Sequence, residues 1–448
     1  MTRRFPLRLA LALFMPVLLA PAVSAQGLIA NDPDEDIFDR FLSDPRGGDS
    51  VIQTPVLDME ADEKGRLLMA YGVIDAYENT ARVEVVVRLK DGTTWNKLAT
   101  LSIDDRLPGL GTKIKAVSVA IANKVGGVTD NNIGHVAAVF EQQGTDWLVH
   151  HSGPMKSSWR RMTPSQLVIT GVAAKPHTDP MFMNPSIAVI PTKPSDFTSY
   201  ITAIAVAMPG PTANDSTIKL IWMDTYSPDY FGPELYTIAG PGSTVLDGKF
   251  GRPSLTADIK NAYWGVAFDD LNEPRVRIIS GKPGSSPNAM SVIWASGSSD
   301  HHPTIRAHEG TINLTTLGTS AEGGAHQLRA YHGVITAANS LFAFPTIDPR
   351  CLTPGDIDIK RDDVSVAARC WDNASGKYRI SSFEFKRSRG PVYKAVLEDR
   401  PSFVTRQPRI AVAPPGAGVV FQAVGFATDR TYSLPGGISG ADAVMLDP

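Results

Sequence analysis

The sequence predicts an all-β protein, and three observations predict it. Short segments rich in Val, Ile, Tyr, Phe and Trp recur along the chain, Gly, Pro, Asn or Asp bounds each of them, and no long run with helical spacing separates them. A chain of 448 residues with 38 Gly and 34 Pro, 20% charged and 43% hydrophobic, is neither disordered, collagen-like nor coiled-coil in composition. The absence of alternating strand and helix patterns removes doubly wound and TIM-barrel enzymes.

The elements follow in order. Arg3, Arg4 and Arg8 precede an apolar run from Leu9 to Ala20, and Val23-Ser24-Ala25 supplies a small-residue cleavage site before Gln26, so residues 1–25 read as a signal peptide. The run is shorter than the ~20 apolar residues a membrane anchor needs. Arg3-Arg4 also fits a twin-arginine export signal in part. No later stretch approaches 18 uninterrupted apolar residues, which predicts a secreted or periplasmic protein with no membrane span. Residues 26–53 form an N-terminal segment in which Asp32-Pro33-Asp34 starts a short helix with Ile37, Phe38, Phe41 and Leu42 on one face.

From residue 54 to 448 the chain reads as strands: 66–74, 83–89, 133–140, 200–208, 218–223, 263–268, 275–280, 378–385 and 418–426. A pattern of one polar residue, Pro, a small or polar residue and then Leu or Ile recurs among them. It is read at Pro55, Pro185, Pro253, Pro303 and Pro408, with looser copies at Ala116 and Pro345. The gaps of 61, 69, 68, 50, 42 and 63 residues each hold about four short antiparallel strands. A radial repeat of four-stranded units is a β-propeller, in which Pro can open an innermost strand because no ladder donor is needed there. Seven starts predict seven blades, with six as the alternative. Only 41 residues run from Pro408 to residue 448, so residues 26–53 or the strand near Val56 are expected to complete the last blade.

The turn Arg88-Leu89-Lys90-Asp91-Gly92-Thr93-Thr94-Trp95 resembles the Asp-box of the sialidase-like propellers, Ser-x-Asp-x-Gly-x-Thr-Trp, at Gly92, Thr94 and Trp95. Arg88 and Lys90 stand where that family has Ser and Asp. The resemblance implies the fold and transfers no catalytic residue.

Function is read from the mouth of the propeller. If each Pro starts an inner strand, the residues before it ring one mouth: Thr54, Lys115, Asn184, Arg252, His302, Phe344 and Gln407. This ring holds two cations, a histidine and two amides and no carboxylate, which suits an anionic ligand such as a uronate or sialate. Five of nine His fall between residues 301 and 332, beside Arg306 and Tyr331. His and Tyr are the usual proton carriers for eliminating a sugar from a uronate, and Asp300-His301-His302-Pro303 resembles a motif of propeller polysaccharide lyases. His302, Tyr331 and His301 are therefore the candidate catalytic residues, and Arg252, Lys115, Asn184, Arg306 and Gln407 the candidate ligand-binding ones. Trp294 and Tyr226 are candidate sugar platforms, whereas Asp269-Asp270 and Asp362-Asp363 read as turn residues.

Cys351 and Cys370 are the only cysteines and are expected to form a disulfide worth roughly 3 kcal/mol. Two cysteines cannot build a four-ligand zinc site, and no metal or cofactor is implied. The formal charge of −3, or −6 without residues 1–25, argues against a nucleic-acid partner. The expected partner is an acidic glycan or polysaccharide, processed by a glycoside hydrolase or polysaccharide lyase if it is cleaved. The alternative is a non-catalytic propeller whose face docks a protein or the cell envelope.

Overall fold

The computed structural model describes residues 57–446 apart from 76–79, 89–94, 103–112, 143–144, 160–166, 174–183, 210–215, 225–233, 244–245, 284–290, 296–298, 321–325, 338–340, 345–349, 361–362, 375, 387–389, 397–407, 414–421 and 431–437. The expected signal peptide and N-terminal helix lie outside the described residues, as do Thr54, Gln407, Tyr226 and most of the Asp-box-like turn.

All strand pairs within the sheets are antiparallel meanders. The first comprises β1 (Leu57–Ala61), β2 (Leu67–Asp75), β3 (Thr80–Arg88) and β4 (Trp95–Leu101). The second comprises β5 (Lys113–Ala122), β6 (Ile133–Gln142), β7 (Thr145–Pro154) and β8 (Leu167–Ala173). The third runs β9 (Ser186–Lys193), β10 (Asp196–Pro209), β11 (Ser216–Asp224) and β12 (Glu234–Ala239). The fourth runs β13 (Phe250–Asp258), β14 (Tyr263–Asp270), β15 (Arg275–Gly281) and β16 (Ser291–Ala295). Next come β17 (His301–His308), β18 (Thr311–Ser320), β19 (His326–Val334), β20 (Phe342–Ala343) and β21 (Arg350–Cys351). They are followed by β22 (Asp356–Lys360), β23 (Asp363–Asp372), β24 (Lys377–Lys386) and β25 (Gly390–Val396). β21 pairs with both β19 and β23, joining these two meanders into one sheet, and the Cys351–Cys370 disulfide lies at that junction. The last sheet is β26 (Arg409–Val412), β27 (Gln422–Arg430) and β28 (Ile438–Leu446).

The first strand of each meander packs beside the first strand of the next. β1, β5, β9, β13, β17, β22 and β26 follow one another, and β26 packs beside β1 to close the ring. This is a β-propeller. Its apolar core is divided into clusters, each between successive sheets. Val83, Val85 and Leu101 meet Val117, Val119 and Phe140, while Ala120 and Ala122 on the other face of β5 meet Ile187 and Val189. A strand buried on both faces reads as a nearly unbroken apolar run, because alternate side chains enter different cores.

Inner strands have no ladder partner on the channel side, so their N–H groups need other acceptors. Ser118 Oγ accepts from Ile187 N at 3.3 Å, Ser186 Oγ from Leu255 N at 2.9 Å, and Ser254 Oγ from Ile305 N at 3.1 Å. Carboxylates do the same elsewhere: Asp58 Oδ2 accepts from Val119 N at 2.8 Å and Asp356 Oδ2 from Ile410 N at 2.8 Å. The recurring motif thus has a physical basis. Pro has no N–H to satisfy, the short polar residue bonds the next inner strand, and the following Leu or Ile enters the core.

Three expectations change. The sixth inner strand begins at Asp356, after Thr353-Pro354-Gly355, because an extra Gly separates Pro from the bonding residue. Phe344, expected at the mouth, is buried against His332 and Phe385. β1 belongs to the first sheet and meets the last one by packing, so the strand near Val56 does not complete it.

Candidate functional site

One cavity opens among the inner strands, with about 650 Å³ of empty space including solvent at its mouth. Asn184, Arg252 and His302, on three consecutive repeats, line it together with Arg306 deeper in. Four of the candidate residues therefore meet at one place.

Arg252 and His302 owe their positions to the same local device. Strand register shifts between Gly251 and Ser254 and again between His301 and Thr304, so a bulge re-aims the residue before each Pro. Arg252 has φ 47° and His302 φ 55°, the left-handed region that costs a non-glycine residue roughly 1–3 kcal/mol. Asp269 offsets part of that cost. It is 2% exposed, its Oδ1 accepts the His302 backbone N–H at 2.8 Å, and its Oδ2 lies 3.5 Å from Arg252 Nη1.

Arg252 Nη1 lies 2.8 Å from His302 Nδ1. A guanidinium has only donors, so Nδ1 must accept and the proton of neutral His302 sits on Nε2. That Nε2 is buried and meets no hydrogen-bond partner among the described residues. Burial, then the Arg252 charge, holds His302 well below the usual imidazole range, so it stays neutral. Burial likewise lowers His301, to about 4, helped by the neighbouring His326. Asp269 moves the other way: burial pushes its carboxyl up to about 7 against the lowering pull of Arg252.

The cavity also holds carboxylates, which corrects the expectation of a mouth without them. Asp58 and Asp356 line it, and Arg409 lies between them, with Nη1 2.9 Å from Asp356 and Nε 3.4 Å from Asp58. Arg306 Nε donates to the Ile357 carbonyl at 3.3 Å. Burial alone would lower Arg306, but Glu60, Asp358, Asp356 and Asp58 raise it overall. Glu60 is itself pushed up to about 8 by burial, against the Arg306 charge. Arg306 is thus held by acidic neighbours, and the donor arc at the mouth is Asn184, Arg252 and His302.

Lys115 does not belong to this arc. Its Nζ pairs with Asp146 at 2.7 Å, with the Lys side chain 13% and the Asp side chain 1% exposed. The bonding position Ser118 shows why: counting back from it, Ala116 is the counterpart of Arg252, and a one-residue shift turns a strand side chain to the opposite face. Tyr331 and His301 are not among the cavity-lining residues. Tyr331 Oη donates to Asp300 Oδ2 at 2.7 Å, and Arg329 Nη1 donates to Asp300 Oδ1 at 2.8 Å. Burial first, then this Asp300 contact, raises the Tyr331 hydroxyl. His301 Nδ1 lies 3.1 Å from His302 Nδ1, and its ring packs on His326. The Trp294 side chain lies outside the described residues.

Sequence reasoning missed Asp58, Asp269, Asp356 and Arg409. The signal for three of them was the position of the residue that reaches the neighbouring inner strand, as Ser118, Ser186 and Ser254 do. Asp269 was read with Asp270 as a turn pair. Asp270 does fill that role, accepting from Asn272 N and Glu273 N, but its neighbour points to the other face.

Among the described residues no helix is long and apolar enough to cross a membrane. No protein-family model matches this sequence, and no curated protein matches it either. Solved structures resemble it in architecture. A Trypanosoma rangeli sialidase in complex with sialic acid aligns over 91% of this chain and 56% of its own, at 9% identity and TM-score 0.44. A Penicillium chrysogenum alpha-L-arabinanase complexed with arabinobiose aligns over 76% of this chain and 98% of its own, at 11% identity and TM-score 0.46. Oligopeptidase B from Leishmania major aligns over 84% of this chain and 46% of its own, at 11% identity and TM-score 0.41. The chain spans just over half the length of the sialidase, and the likeness is one of fold.

Proposed function

We propose that this is an exported seven-bladed propeller, secreted or periplasmic, that binds an acidic carbohydrate at its axial mouth. The observation that carries the reading is the convergence of Asn184, Arg252 and His302 on one cavity, with Arg252 a fifth exposed. A guanidinium fork matches a carboxylate, and the buried His302 Nε2–H supplies a second donor without the desolvation cost of a second charge. The arginine-rich, apolar N-terminus and the disulfide support export. Of the three candidate catalytic residues only His302 lines the cavity, and cleavage by it would require its Nδ1 to be released from Arg252 before that nitrogen accepts a proton.

Titration of the protein with oligogalacturonate and with a sialylated glycan, alongside a neutral oligosaccharide, tests the reading, with absorbance of unsaturated uronates recorded in parallel. Binding of an acidic glycan that Arg252→Ala weakens about tenfold or more supports it. Equal uptake of the neutral sugar, or unchanged affinity in the variant, contradicts it.

A further inference from the structure

Asp269 touches both Arg252 and His302 and is not among the cavity-lining residues. Resting on the reading that Arg252 grips an anionic ligand, we propose that Asp269 is the positioning residue of this site. Through one oxygen it fixes the His302 backbone, and through the other it competes with the ligand for the Arg252 guanidinium.

The geometry separates the two halves of the role. The Oδ1 bond to His302 N at 2.8 Å holds the left-handed bulge that turns the imidazole toward Arg252. The Oδ2 contact at 3.5 Å is long for a hydrogen bond and acts mainly by charge. A ligand carboxylate arriving at Arg252 therefore meets a cation already partly neutralised from within the protein. When Asp269 is protonated, that internal competitor is gone and the anion meets a less neutralised guanidinium. Burial pushes Asp269 up to about 7, so the exchange falls in a physiological range.

The charged and titratable groups around Asp269 lie on the neighbouring strands. β13 contributes Arg252, β17 contributes His301 and His302, and β19 places His326 and Arg329 behind them, the latter paired with Asp300. On β15, Arg277 pairs with Asp270 and Glu273, and Arg275 with Glu273. His301 and His302 remain neutral between pH 6 and 8, with His301 lowered to about 4 and His302 lowered well below its usual range. The ligand carboxylate remains ionised over the same interval.

The test uses the full chain, oligogalacturonate as probe, and the variants Asp269→Asn and Asp269→Ala. Asn retains an acceptor for the His302 N–H but carries no charge. The wild type is expected to bind about five-fold more tightly at pH 6 than at pH 8. Asp269→Asn should bind at both pH values as the wild type does at pH 6. A variant that keeps the wild-type pH dependence, or that binds more weakly than wild type throughout, overturns the charge half. Hydrogen exchange at the His302 amide tests the backbone half without ligand. Exchange should stay slow in Asp269→Asn and accelerate about tenfold or more in Asp269→Ala; equal rates in all three proteins overturn it. Failure of the wild type to bind the probe at either pH refutes the acidic-ligand reading and the charge half with it, while the exchange rates still decide the backbone half.

Discussion

Arg252 Nη1 donates to His302 Nδ1 across 2.8 Å, tying together two side chains 50 residues apart in sequence. Each stands immediately before a Pro on an inner strand, and each has left-handed backbone. The repeat therefore does more than build the ring. It places a non-repeating donor at equivalent points of successive blades, which is how a ring of similar meanders carries an asymmetric pocket.

Charge alone is not what Arg252 contributes. Arg252→Lys keeps the cation but loses the fork, and it is expected to weaken oligogalacturonate binding about five-fold or more by calorimetric titration. Affinity equal to wild type would assign the interaction to unspecific attraction.

Lys115 provides the converse test. Lys115→Met removes the cation that pairs with buried Asp146, so urea unfolding should show a loss of about 3 kcal/mol. Affinity for the acidic glycan should remain within about two-fold of wild type, because the side chain is not at the cavity.

The bonds between inner strands predict a graded loss of stability. Ser186→Ala and Ser254→Ala each leave one buried N–H on the next blade unsatisfied, at a cost of about 1–2 kcal/mol by urea unfolding. Replacement of exposed Thr198, whose backbone N–H donates to Asp196 within its own turn, should cost about 0.5 kcal/mol or less.

A buried pair of histidines predicts acid sensitivity. His135 Nδ1 lies 3.2 Å from His150 Nε2, and burial holds His135 well below its usual range and His150 at about 3. Both are depressed in the folded state, so the unfolded chain binds the extra protons. Stability is retained above the unfolded value near 6.5 and declines as pH falls below it. The slope is about 1.4 kcal/mol per pH unit for each histidine. Asp269 and Glu60, raised to about 7 and about 8, act in the opposite sense, their neutral forms favouring the fold at low pH. Comparing His150→Gln with wild type between pH 6.5 and 5 removes those shared contributions, and the variant should show the shallower decline.

The propeller was legible because a Pro followed by a short polar residue and Leu or Ile marks an unpaired inner edge, and because apolar runs of strand length filled the intervals. Asn184, Arg252 and His302 were legible for the same reason. The sequence misled where the marker was displaced: Val117 stands in place of Pro before Ser118, and Gly355 separates Pro354 from Asp356. Asp269 was illegible for a different reason. Two adjacent aspartates at a strand end look alike in sequence, and only strand alternation assigns one to the turn and the other to the site.

The most direct measurement is a crystal structure of the protein with bound oligogalacturonate. The account predicts a uronate carboxylate within about 3.2 Å of the Arg252 guanidinium, with a ligand oxygen accepting from His302 Nε2. A ligand seated on the outer face of the blades, with the axial mouth unchanged, would contradict it.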